Sequence, residues 1–165
     1  MQEYNIAFAR LDYLIAFLHF AALSFLIGLQ AAIWACARFF IKEQNANEEQ
    51  YASFIKFFDK FYLAVATLLA MLALSEAAIS LGLDPIKSAD PMANAINATK
   101  WGLEAFLAIN LAYMLYGRKK AQKTLKNNES TELYESLIVI VSYFIPLNLA
   151  VSLVIIYLDA AHRGF

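Results

Sequence analysis

The chain is 165 residues long, 61% hydrophobic and only 16% charged, against about 45–50% apolar and about 25% charged in an ordinary soluble domain, so its composition is that of a membrane protein. Its net charge of −1 supplies no overall field to attract nucleic acid, and its aromatic residues are not interleaved with basic ones as a nucleic-acid surface requires. One cysteine, Cys36, excludes an intramolecular disulfide and any cysteine-rich metal or iron–sulfur centre.

Four apolar stretches follow, 13–37, 61–83, 93–116 and 137–158, each near the roughly 20 residues that cross a hydrocarbon core as a helix. They are too long for strands, and only helices and closed barrels satisfy the backbone in lipid. The expectation is an all-α, four-transmembrane-helix bundle forming a single integral membrane domain over 1–165. In the first stretch His19 and Gln30 share one face, and Ser24, Gly28, Ala32 and Cys36 form a small-xxx-small series on the opposite face. One face is for the bundle interior and the other is free for a second copy or another membrane protein. "ACAR" near Cys36 resembles a signal cleavage site, but the apolar run before it is too long and "MQEYN" is acidic, so this helix is expected to be retained.

The second stretch carries Ala66, Ala70, Ala73, Ala77 and Ser80 as a stripe of small residues suited to close helix packing, with Glu76 on its flank. The third begins "INATKWGLEAFLAIN", where Lys100 and Glu104 share a face with Leu107, Ala108 and Leu111 while Asn110 points away. In the fourth, Pro146 is expected to kink the helix and free the carbonyl of Ser142. Asn148, with Gln30 and Asn110, is expected to hydrogen-bond between helices. Trp101, Tyr13, Tyr62, Tyr116 and Tyr157 read as interfacial belts.

Lysine and arginine set the orientation. Arg38, Lys42, Lys56 and Lys60 flank the first loop and Arg118, Lys119, Lys120, Lys123 and Lys126 occupy the third, opposed by Arg10, Lys87, Lys100 and Arg163. The first and third loops are therefore expected in the cytoplasm, with both termini and the second loop outside. The run at 118–126 is also suited to contact anionic lipid.

At about 1.5 Å per residue, His19, Glu76, Lys100 and Glu104 then fall at one depth in the outer half of the bundle, with Asn148 somewhat deeper. An ionisable group at that depth has to be neutral, paired or wet, although Lys100 can also snorkel to the interface. These four residues are the expected ligand or cofactor pocket. His19, Glu76 and Glu104 offer an imidazole and two carboxylates to a transition metal. The same groups can relay protons, and His19 can be an axial ligand of haem b with Lys100 pairing a propionate. No HExxH, CxxC, Gly-rich phosphate loop or Ser/His/Asp set accompanies them.

"YLIAFLHFAALSFLIG", "FDKFYLAVATLLAMLAL", "ATKWGLEAFLAINLAYMLYGRKKAQK" and "VIVSYFIPLNLAVSLVII" together resemble a family of small bacterial four-helix membrane proteins of unassigned function. More remotely, the chain is similar to HemJ-type protoporphyrinogen oxidases and to the membrane part of CopD-type copper-resistance proteins. His19, Lys100 and Pro146 carry the remote resemblance; Asp59 and Tyr62 carry the nearer one. Ala98 and Phe144 stand where the HemJ pattern has a second histidine and an acid, and the proline–arginine pair that closes its first helix is absent. The resemblance implies a bacterial inner membrane and leaves three functions open. These are a module whose outward-facing pocket binds a metal, haem or a small cation, a HemJ-like haem oxidoreductase, and a structural subunit of a larger membrane complex. Whether the chain is an enzyme stays open at this point.

Overall fold

A computed structural model describes residues 2–42, 48–81, 90–127 and 130–163, and side chains within 13–38, 51–79, 90–127 and 132–161. Ser80, the second loop at 82–89 and the flanking cations Arg10, Lys42, Lys87 and Arg163 lie outside the described side chains. Every regular element described is helical. They are α1 (Gln2–Lys42), α2 (Glu48–Leu81), α3 (Pro91–Lys126), and α4 (Ser130–Val139), which passes through a π turn (Ile140–Phe144) directly into α5 (Ile145–Arg163).

The helices extend well past the apolar stretches that foretold them. Beyond the apolar part of α2, its earlier turns keep Phe54, Ile55 and Phe58 buried at spacings of one and three, an amphipathic stripe that propagates a helix without continuous apolarity. The start of α3 is fixed locally. The Asp90 side chain accepts from the Met92 backbone N–H at 2.9 Å, and Pro91 takes the first position, where its missing N–H costs nothing.

Each helical rod packs on its neighbour: α1 on α2, α2 on α3, α3 on α4 and α5, and α5 back on α1. Three of them contain segments long and apolar enough to cross a membrane, Tyr13–Arg38, Tyr51–Ile79 and Glu132–Ala161. Of the four expected spans, the third lacks that apolarity, because Asn94, Asn97, Lys100 and Glu104 crowd the first turns of α3. Exposed apolar side chains such as Tyr13, Phe17, Phe25, Leu63, Leu74, Tyr113, Leu153 and Tyr157 cover the outside. Polar ones, among them His19, Gln30, Glu76, Lys100, Asn110, Asn148 and Asp159, are buried. That inverted distribution is consistent with lipid as the surrounding solvent.

On α1 the face of His19 and Gln30 meets the bundle interior, while the face carrying Ser24, Gly28, Ala32 and Cys36 is exposed, and a methyl built on Gly28 would meet nothing within 4 Å. Several packing expectations need correction. On α2, Ala66 and Ala70 are exposed and Ala73 and Ala77 only half-buried; the packed stripe is Phe58, Phe61, Tyr62, Val65 and Leu72, because these larger side chains fill the space between rods. Tyr62 accordingly is core rather than belt, at 4% exposure. Asn110 is buried too. The interior arc of α3 faces two neighbours, and Asn110 lies on the side turned to α5, where its Nδ2 donates to Asn148 Oδ1 at 2.9 Å. Around Pro146 the helix adapts by widening: the Ile145 N–H reaches back to the Ile140 carbonyl, an i to i−5 bond, which is how a chain lacking the next donor stays helical.

Candidate functional site

The buried ionisable groups gather at the end of the bundle where α1 begins its apolar segment, α2 ends, α3 starts and α5 ends. His19 stands on the interior stripe of α1 with Ala22, Leu23 and Leu26, and is 1% exposed. Glu76 and Ser75 close the interior stripe of α2. Lys100 and Glu104 lie one turn apart on α3, at 4% and 6% exposure. Asp159 comes from α5, on the face that also buries Asn148, Ser152 and Ile155.

Their bonds interlock. Lys100 Nζ donates to Glu76 Oε1 at 2.7 Å and pairs with Asp159 Oδ1. His19 Nε2 lies 2.9 Å from Asp159 Oδ2 and 3.7 Å from Glu76 Oε2. His19 Nδ1 lies 2.9 Å from Ser75 Oγ, whose hydroxyl donates to the Leu72 carbonyl at 2.8 Å. Because that hydroxyl proton is committed to Leu72, Nδ1 is the donor to Ser75. When the hydroxyl turns toward Nδ1 instead, it donates to a neutral ring whose Nε2–H faces Asp159. Ser75 can thus accept from Nδ1 with its own proton on Leu72, or donate to Nδ1 at the cost of the Leu72 bond.

Of the four residues expected in the pocket, His19, Glu76 and Lys100 touch one another directly or through Asp159. Glu104 does not bond to them. Among the described residues neither of its oxygens has a hydrogen-bond partner, although it lies within electrostatic reach of Glu76, His19, Lys100 and Asp159. Of the expected metal set, His19 and Glu76 come together with Asp159 rather than with Glu104: each of these three offers one ligand-type atom, all within 4.8 Å of one another. Lys100 is no snorkelling lysine; both of its carboxylate partners hold it inward. Asp159 was missed because it follows the apolar run that ends at 158. The available signal was its spacing of eleven from Asn148, which returns it to the same helix face. Ser75 had no signal beyond its place next to Glu76.

Three carboxylates, Glu76, Glu104 and Asp159, face one ammonium, that of Lys100. With His19 neutral the cluster is short of two positive charges, and with His19 protonated it is short of one. A buried deficit of that size is costly unless protons or a cation make it up. The donor types suit a transition metal: an imidazole nitrogen, with the other ring nitrogen oriented by Ser75, and two carboxylates. They do not suit haem. Two carboxylates stand within 4 Å of Nε2, where the plane of a macrocycle would have to lie, and Nδ1 is engaged by Ser75.

A second polar layer lies deeper. Asn148 Nδ2 donates to the sulfur of Met114 at 3.4 Å, and Ser152 donates back to the Asn148 carbonyl at 2.8 Å. Gln30, Leu111, Met114, Ile145 and Asn148 line a narrow interstice there. At the opposite end Arg118 pairs with Asp59, tying the early turns of α2 to the later turns of α3. Comparison with known protein families, characterised sequences and solved structures finds no match for this chain.

Proposed function

We propose that this chain is a membrane-embedded four-helix module that binds a divalent transition-metal cation in exchange for protons. The site is His19, Glu76 and Asp159, and the Lys100 ammonium is its resident counter-cation. One observation carries the reading: ligand atoms from three different helices converge, buried, within 4.8 Å, in a cluster whose carboxylates outnumber its fixed positive charge. The cation would bind His19 Nε2 and one oxygen each of Glu76 and Asp159. His19 would give up its Nε2 proton, and the Ser75 oxygen would hold the ring in the tautomer that frees that nitrogen.

The same reading takes α3 as a fourth span. Its charged turns face α2 and α5, and the segment from Leu107 to Tyr116 is apolar apart from the bonded Asn110. It takes the site as lying in the outer half of a bacterial inner membrane with both termini outside, because the basic residues Lys56, Lys60, Arg118, Lys119, Lys120, Lys123 and Lys126 crowd the other end.

Titration of the protein in mild detergent with zinc and with copper(II), in a weakly buffered solution that reports released protons, tests the reading. One ion per chain is expected, with proton release. His19→Gln and Asp159→Asn should each weaken binding about tenfold or more. Absence of saturable binding, or binding untouched by both substitutions, would reduce the cluster to an ionic lock between helices, the role of a structural subunit.

A further inference from the structure

We infer that Glu104 is a second seat for the Lys100 ammonium, the place to which that group moves when a divalent cation takes His19, Glu76 and Asp159. The inference rests on the cation reading above and deepens it. Lys100 holds Oε1 of Glu76 and Oδ1 of Asp159, and the other oxygen of each carboxylate lies toward His19 Nε2, so a cation seated there would share both carboxylates with the ammonium. On opposite oxygens of the same two carboxylates, an arriving cation and the ammonium would stand a few ångströms apart, where two positive charges in a medium of low dielectric repel strongly. Escape to water is closed to a side chain only 4% exposed.

Glu104 supplies the alternative. It lies four residues on, along the same helix face, the spacing at which side chains meet. It is 6% exposed, and both of its oxygens are buried without a partner among the described residues, an arrangement that a neighbouring donor would complete. The charges close as well: a divalent cation with Glu76 and Asp159, and the ammonium with Glu104, leave both pairs neutral. At that spacing, rotation about the lysine stem would carry the ammonium from one seat to the other.

Zinc binding measured calorimetrically in mild detergent, for the native chain, Glu104→Gln, Lys100→Gln and the double variant, tests this. Glu104→Gln should weaken zinc binding about tenfold or more, the size of an ordinary coupling between sites. In the Lys100→Gln background the same substitution should change it less than about threefold, because no ammonium needs rehousing. Equal weakening in both backgrounds would make Glu104 a metal ligand, and no weakening in either would make it a bystander; each result overturns the inference while leaving the cation site standing. No zinc binding in either the native chain or Lys100→Gln would bring down the cation reading, and the inference with it. Should Lys100→Gln not fold, nitrogen-15 lysine labelling of the native chain and Glu104→Gln decides. The Lys100 ammonium resonance should shift on zinc addition and stay protected from solvent in the native chain, and lose that protection in Glu104→Gln. A resonance that zinc leaves unmoved in the native chain overturns the inference.

Discussion

Asn110 of α3 and Asn148 of α5 are joined by a single amide-to-amide hydrogen bond of 2.9 Å, and both side chains are buried. Asn148→Leu would strand the Asn110 amide in an apolar layer. The expected loss is about 1–2 kcal/mol, the range for interhelical polar contacts in membranes. Unfolding in detergent measures it. Replacing both asparagines with leucine should be milder than replacing one, and equal losses would show that the two amides are not coupled.

Lys100→Met should destabilise strongly, by about 3–5 kcal/mol at neutral pH, because Glu76 and Asp159 lose the cation that both of them hold. The folded variant can relieve its excess negative charge only by taking up protons that the unfolded chain does not need. It therefore binds more protons than the unfolded chain, so stability falls as pH rises and returns as pH falls. Thermal unfolding from about pH 8 to about pH 5 should display that slope. Adding Asp159→Asn should flatten it. A small loss with no pH slope would mean that Lys100 reaches the interface.

Gly28→Leu should leave the stability of the single chain within about 0.5 kcal/mol, since the position is exposed and nothing lies near an added side chain. Size in detergent and thermal unfolding are read together. A drop in oligomer size at unchanged chain stability would place a second copy on that face; a loss of chain stability in a protein that is already monomeric would contradict the packing described.

Met92 is exposed at the start of α3, so Met92→Cys, in a chain with Cys36→Ser, reports which side of the membrane that end occupies. Labelling by an impermeant thiol reagent from outside intact cells is expected. Labelling confined to inverted vesicles would put the cluster in the inner half.

The helical architecture was readable because the apolar runs are too long for strands, although only three of the helices carry a segment apolar enough to cross a membrane. His19, Glu76 and Lys100 were readable because ionisable groups at depth need partners, and their depths agreed. Periodicity on one helix does not say how wide its interior arc is, and so it misplaced Asn110. The small-residue stripe on α2 suggests a packing surface, but small residues suit an outward face equally well, and larger side chains fill the interior. Asp159 escaped because an apolar count stops at the first charge, whereas the helix does not.

The cluster would also constrain the order of assembly in a chain inserted as it is made. Its members are drawn from positions 19, 76, 100 and 159, so in a chain threaded into lipid as it is made they arrive one at a time. Glu76 and Lys100 sit on consecutive helices and can enter together as a neutralised hairpin. His19 waits for both of its acids, and Asp159 comes last. Until α5 docks, the lysine has only one of its two acids, which leaves the half-made bundle with an affinity for any carboxylate-bearing helix that passes. A chaperone for this protein would have its work between the third helix and the last.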